Sequence, residues 1–230
     1  MIKNPKQQRL IVIEGLDGSG KGTQAQLLAE RLQEQNLPLR KISFPDYNSP
    51  SSSLVKMYLS GDFGETAGAV NPYAASSFYA VDRFASFQTD WKKDYVAGKL
   101  ILCDRYVTSN MIFQLGKLPF KDWDDYLVWL EDFEYNKLRL PRPDLVIFLD
   151  MPIAISQKLI SERYQGDENR KDIHERDLLF LEESHRSACY AAQKLGWKKI
   201  NCAESSSPKP IEVIHQEVKS EVLKLLEIGE

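Results

Sequence analysis

Long apolar runs are missing from this chain of 230 residues: no stretch of 18 apolar residues occurs, whereas a helix needs about 20 to cross a bilayer. The opening MIKNPKQQ is polar and leads directly into the first apolar segment, without the three-part build of a secretory signal. The expectation is a cytoplasmic protein with no membrane partner. Cysteine is scarce. Cys103, Cys189 and Cys202 are odd in number and lack metal-ligand spacing, which argues against a disulfide scaffold and leaves reduced, buried thiols as the reading. The three histidines, His174, His185 and His215, form no ligand pair either. No excess of positive charge is present: Lys and Arg number 30, Asp and Glu 33, for a net charge of -3. Nothing therefore suggests a general grip on nucleic acid. Low-complexity segments and internal repeats are absent too, and the length fits a single domain over 1–230.

What is present concentrates near the start. Residues 9–23 read RLIVIEGLDGSGKGT, an apolar run that breaks into a glycine-rich turn. The pattern G-x-x-x-x-G-K-[ST] is met by Gly15, Gly20 and Lys21, but Gly22 stands where a hydroxyl is expected. Leu10 to Ile13 have the signature of a short buried strand, and TQAQLLAERLQ from Thr23 has helical periodicity. A loop between strand and helix is the setting in which backbone N–H groups converge on an anion. The helix N-terminus adds about half a positive charge there. Gly15, Leu16, Asp17, Gly18, Ser19, Gly20, Lys21, Gly22 and Thr23 are thus the candidate ATP-binding loop, with Lys21 reaching the outer phosphates.

Apolar strand candidates at 10–14, 39–44, 100–104, 145–150 and 199–202 alternate with helical patterns. The helices are expected at about 23–35, 72–97, 107–115, 122–139, 152–163, 172–195 and 209–227. In the last, Ile211, Ile214, Val218, Val222 and Leu225 recur at steps of three and four, an amphipathic stripe. Such alternation predicts an α/β fold, a five-stranded parallel sheet flanked by helices on both faces. Ligands of these sheets gather at the carboxyl ends of the strands. That filter selects the loop itself, Phe44-Pro45-Asp46-Tyr47, Asp104-Arg105-Tyr106 and Asp150.

Asp104 ends the strand ILCD and Arg105 follows it. A carboxylate beside a phosphate loop can hold Mg²⁺, usually through water, and the arginine fork matches a phosphate bidentately. A salt bridge closing the sheet edge is the alternative. Asp150 also ends a strand and competes as the Mg²⁺ carboxylate, or else assists the start of the helix after Pro152. In the middle of the chain, Tyr79 and Arg83 lie four apart and share a helix face. A ring for stacking beside a forked donor suits a nucleobase; an aromatic core stripe with a snorkelling arginine would read the same way. A base-reading N-K-x-D element of switch GTPases is not found, since Asn136-Lys137-Leu138-Arg139 lacks the Asp.

Taken together, GLDGSGKGTQ, FPDY, YAVDR and DRYVTSNMIFQ resemble the thymidylate kinases, P-loop nucleoside-monophosphate kinases, over nearly the whole chain. The resemblance implies a P-loop NTPase-type fold with a short lid, and transfer of the ATP γ-phosphoryl group to dTMP for dTTP synthesis. It implies Mg²⁺ as cofactor, ATP and dTMP as the partners, and a homodimer packed through helices. By the same resemblance Asp17 would hold the deoxyribose 3′-hydroxyl, while Phe44, Pro45 and Tyr47 border the dTMP phosphate. Tyr79 would stack on thymine and Arg83 bond its carbonyl. Arg105 would grip the dTMP phosphate, and Asp104 would organise the metal. Ser109, Asn110 and Gln114 would lie along the base, and Phe113 would crowd the 2′ position of the sugar.

This chain departs from the family pattern in Gly22, in a Phe rather than a Tyr at 113, and in the lack of an Arg among residues 16–19. Without a loop arginine, the lid should carry the transferring charge. Residues 163–171 read RYQGDENRK, a polar interval supplying Arg163, Arg170 and Lys171. Arg170 is the expected catalytic residue and Arg163 an ATP-side neighbour that ends the preceding helix; an ordinary solvated loop is the plainer reading. Two other functions stay open. A deoxynucleoside kinase would need a carboxylate base near an uncharged acceptor, and a non-catalytic nucleotide switch would turn ATP over without regard to acceptor.

Overall fold

The computed structural model describes residues 8–167 and 172–227. Five strands, β1 (Arg9–Glu14), β2 (Leu39–Ser43), β3 (Leu100–Asp104), β4 (Leu145–Asp150) and β5 (Lys198–Asn201), form one parallel sheet in the order β2-β3-β1-β4-β5. β1 is central, with β3 on one side and β4 on the other, so the winding of the chain reverses there. Register brings the carboxyl ends level: Ile13 pairs with Asp104, Ser43 with Asp104, and Glu14 with Phe148. A crevice at that edge is the expected ligand position in such a sheet.

The three inner strands, β1, β3 and β4, are apolar on both faces because helices cover both. Ile11, Ile13, Leu102, Ile147 and Leu149 face Leu28 and Leu32 of α1 (Lys21–Glu34) and Val218 and Val222 of α9 (Ile211–Leu226). Leu10, Val12, Ile101 and Cys103 face the opposite way, onto Trp91, Tyr106, Trp123, Tyr126 and Leu130. Each fully buried Leu or Ile contributes about 1.5–3 kcal/mol relative to exposure, so the sheet is a rigid platform. In α9 the expected stripe holds at Ile214, Val218 and Val222, but Ile211 is exposed because the helix begins there, after Pro210.

Local chemistry sets the remaining boundaries. One short helix, α2 (Ser53–Ser60), which ends on Gly61 with φ +90°, and a hairpin of β6 (Ala203–Glu204) and β7 (Ser207–Pro208) were not anticipated from the sequence. The helix expected over 72–97 is α3 (Pro72–Ser86), a π-helical turn at Phe87–Trp91 and α4 (Lys92–Val96). Asn71 caps its start by accepting from the Ala74 N–H at 2.9 Å, with Pro72 in the first turn. After β3 come α5 (Thr108–Phe113) and α6 (Trp123–Glu131), which runs into a second π-helical turn at Asp132–Lys137. α7 (Ile153–Arg163) follows β4. α8 (Leu178–Leu195) starts six residues later than expected, because Asp172 and then Asp177 accept backbone N–H bonds and break the pattern.

Candidate active site

The glycine-rich turn joins β1 to α1, as the pattern predicts. Gly20 sits at the N-cap of α1 with φ +86°, and no side chain caps the helix. The first-turn N–H groups are therefore left to an anion. Gly18, at φ +76°, packs against α7 so closely that a Cβ would lie 2.4 Å from the Ser156 carbonyl oxygen. Leu16 anchors the loop in the core, and Thr23 is exposed on the first turn of α1. Lys21 folds back over the loop, its Nζ donating to Leu16 O and to Asp17 Oδ1, both at 3.3 Å.

At the end of β3 the Arg105 guanidinium is ion-paired with the same carboxylate, Asp17. Burial opposes ionisation of Asp17, but Arg105 and Lys21 outweigh it and hold the group well below the usual carboxylate range. Arg105 adopts a left-handed backbone (φ +66°), costing about 1–2 kcal/mol for a residue with a Cβ. Glu14 supports the turn that follows. Fully buried, it accepts hydrogen bonds from Tyr106 N (3.1 Å), Thr108 Oγ1 (2.6 Å) and Ser109 Oγ (2.9 Å). Burial nevertheless leaves its pKa raised.

Above these residues opens a cavity of about 370 Å³. Every residue assigned from the sequence to the dTMP side lines it: Asp17, Phe44, Pro45, Tyr47, Tyr79, Arg83, Arg105, Ser109, Asn110, Phe113 and Gln114, with Asp104 and Arg163 beside them. Tyr79 and Arg83 do share a face of α3. Phe113 packs against His174, with rings 5.8 Å apart and nearly parallel, and against the Arg105 guanidinium, 5.0 Å from its centroid. The buried side-chain amide of Gln114 makes no hydrogen bond of sound geometry. A buried polar group without a partner costs about 1–3 kcal/mol, which a polar ligand would relieve.

Arg83 does not snorkel. It is 1 % exposed, and its Nε and Nη2 donate to the two oxygens of Glu134 at 2.7 and 2.5 Å. Sequence reasoning missed Glu134. The signal was there: it continues the buried stripe Trp123, Tyr126, Leu127 and Leu130 at the next helical step, a lone carboxylate on an apolar face.

Also unforeseen are Asp172, His174 and Glu175, which line the cavity mouth. His174 Nε2 lies 2.8 Å from the Tyr58 hydroxyl, and burial pushes the imidazole down to about 3, so it is neutral at ordinary pH. Burial raises both Asp172 and Glu175. Arg163 Nη2 pairs with Glu175 at 3.0 Å. Arg170 and Lys171, with most of the expected lid, lie outside the described residues. Asp150 does not line the cavity; its oxygens pair with His185 Nε2 at 2.7 Å and Lys199 Nζ at 3.0 Å.

Asp104 Oδ1 and Ser19 Oγ are buried oxygens without hydrogen-bond partners beside the loop. A Cβ at position 22 would come 3.3 Å from Asp104 Oδ2, so the glycine there keeps the loop close to this carboxylate. Oxygen donors left unsatisfied next to a phosphate-binding loop fit a hard divalent cation.

The family model described as thymidylate kinase matches residues 13–218. A thymidylate kinase of Mycobacterium tuberculosis is 30% identical over 73% of this chain and 78% of its own length. One from Schizosaccharomyces pombe is 32% identical over 72% and 73%. The solved structure of thymidylate kinase from Candida albicans superposes with a TM-score of 0.69, covering 97% of this chain and 96% of that one at 24% identity, a likeness of fold.

Proposed function

The chain belongs to the thymidylate kinase family, and on that footing we propose that it transfers the γ-phosphoryl group of ATP to dTMP, giving dTDP for dTTP synthesis. The observation that carries the reading is the meeting of two differently built subsites at one carboxylate. Asp17 of the phosphate loop pairs with Lys21 of the same loop and, through the same oxygen, with Arg105, which lines the base-sized cavity.

The reaction needs no covalent intermediate. The loop N–H groups and Lys21 receive the β- and γ-phosphates. Arg105, with Tyr47 at the cavity rim, orients an oxygen of the dTMP phosphate toward the γ-phosphorus. That phosphate is already largely ionised near neutral pH (second pKa about 6), so no general base is required. The bond formed joins that oxygen to phosphorus, the bond broken is to the ADP leaving oxygen, and the positive side chains spread the charge between them. Asp104, with Ser19 nearby, would hold Mg²⁺ through water; when bound, the ion neutralises phosphate charge. Arg170, which lies outside the described residues, would supply further charge to the transferring group. Phe113 excludes a 2′-hydroxyl.

The three cysteines are free thiols, which suits a reducing, cytoplasmic setting. No helix among the described residues is long and apolar enough to cross a membrane. Exposed apolar side chains on α3 and α6, Val81, Phe84 and Val128, suit the homodimer. A coupled ADP-release assay with ATP and Mg²⁺ tests the function, with dTMP, dUMP, UMP, CMP, AMP, GMP and thymidine offered in parallel. Fast turnover with dTMP and almost none with UMP or thymidine is expected. Turnover with thymidine would make the protein a nucleoside kinase, and slow hydrolysis indifferent to acceptor would make it a switch.

A further inference from the structure

Glu134 stands behind the cavity wall, touches no part of the phosphate machinery, and is fully buried. Its Oε2 accepts from Arg83 Nε, and its Oε1 accepts from both Arg83 Nη2 and Asn110 Nδ2, the last at 3.1 Å. Asn110 Nδ2 also donates to the Ser76 carbonyl at 3.4 Å, and Arg83 Nη1 to the Tyr106 carbonyl at 3.3 Å. We infer that Glu134 is a positioning residue for base selection: it turns the Asn110 amide so that its oxygen faces the cavity, beside the remaining Arg83 donors.

The argument is one of donor and acceptor inventory. An amide nitrogen has two hydrogens, and both are taken, by a carboxylate and a carbonyl that can only accept. The Asn110 amide therefore cannot flip without setting oxygen against oxygen. Its Oδ1 accepts no hydrogen bond from the described residues. The Arg83 guanidinium has five N–H groups; three are used, leaving one each on Nη1 and Nη2. The wall thus presents donors next to an acceptor. A 4-oxo pyrimidine offers the complement, an acceptor at O4 beside a donor at N3. A 4-amino pyrimidine reverses both atoms, and meeting it would leave buried groups unpaired, the situation that gives strong discrimination. Glu134 acts without contacting the base, by dictating what its two readers display.

This inference rests on the dTMP kinase reading above, and its test separates the two. Wild-type enzyme that fails to phosphorylate dTMP at all would overturn the reading of function. Given activity, the measurement is kcat/KM for dTMP and for dCMP in wild type and Glu134→Gln. A glutamine has only one acceptor oxygen for these three donors. With it toward Arg83 Nε, its amide nitrogen faces Asn110, which must reverse and show Nδ2 to the base. With it toward Arg83 Nη2 and Asn110, its nitrogen faces Arg83 Nε and displaces the guanidinium, so either placement disturbs one of the two base readers. The dTMP-to-dCMP preference should fall roughly 10- to 100-fold, while KM for ATP stays within about threefold. An unchanged preference in a folded variant would overturn the inference, because a merely structural role for Glu134 lowers both activities together. If Glu134→Gln does not fold, wild type decides the matter with ¹⁵N-labelled dTMP. Its imino proton should be protected from exchange and show a contact to the Asn110 amide protons; an imino proton in fast exchange overturns the proposal.

Discussion

Asp17 and Arg105, 88 positions apart, are joined in an ion pair that ties the phosphate loop to the end of β3. Lys21 shares the carboxylate at 3.3 Å. The two cations that would receive different phosphates thus share one carboxylate oxygen, which offsets part of their mutual repulsion. Burial, and after it repulsion from Arg105, still lowers the Lys21 pKa.

Separating the two subsites is therefore possible at Arg105. In Arg105→Ala the Asp17 carboxylate keeps Lys21, so the ATP loop retains its partner. Isothermal titration calorimetry should show dTMP binding weakened about 100-fold, in line with losing a charge-assisted bidentate contact of about 1.5–3 kcal/mol. ATP binding should change less than about threefold. Comparable losses for both nucleotides would contradict the assignment.

Phe113 offers a test of sugar discrimination. Its buried ring packs against both His174 and Arg105, which restricts its movement away from a 2′-hydroxyl. Phe113→Ala should raise the UMP-to-dUMP ratio of kcat/KM at least about tenfold, at a stability cost of about 3 kcal/mol from the cavity it leaves. A ratio that does not move would remove Phe113 from this role.

Arg170, which lies outside the described residues, is the third case. Arg170→Ala should lower kcat by about 10³ or more, the scale of an inserted arginine in phosphoryl transfer, with KM for ATP nearly unchanged. Near wild-type turnover would sink the idea, and Arg163, already engaged with Glu175, would be the next candidate.

A pH effect on stability is expected from His185, which is not among the residues lining the cavity. The hydrogen bond to Asp150, followed by one to Cys189, raises its pKa from 6.5 to about 10. The folded state thus binds the proton more tightly than the unfolded chain, and the stabilisation is full below pH 6.5 and is lost as pH rises toward 10. Thermal melts of wild type and His185→Asn should therefore differ most near pH 6 and converge by about pH 10. A gap that widens with pH would reverse the assigned sign.

Much of this protein was legible in its one-dimensional pattern because the relevant signals are local. Four apolar residues before a glycine-rich turn and a helical period after it define the phosphate loop, since glycine spacing and helix start act within a dozen residues. Strand ends at Asp104 and Asp150 were readable because buried parallel strands are short apolar runs that stop where polarity returns. Family motifs then placed Tyr47, Tyr79, Arg83, Asn110 and Phe113 together, and all of them line one cavity.

Partners were another matter. That Arg83 is clamped by Glu134, that Glu14 carries the turn after Arg105, and that Asp17 joins Arg105 to Lys21 are decided by which elements the sheet order brings side by side. A charged side chain in sequence shows no sign of what will neutralise it, because its partner lies 50 or more residues away in each of the first two pairings with Arg83 and Thr108. The same limit hid Asp172, His174 and Glu175: the helix expected from 172 runs through them, whereas in the structure the His174 and Glu175 N–H groups donate to Asp172 and the three residues line the cavity. Composition and spacing determined the chemistry this chain can perform; tertiary packing decided which groups face each other while it does so, because desolvated charges must find partners wherever the fold has put them.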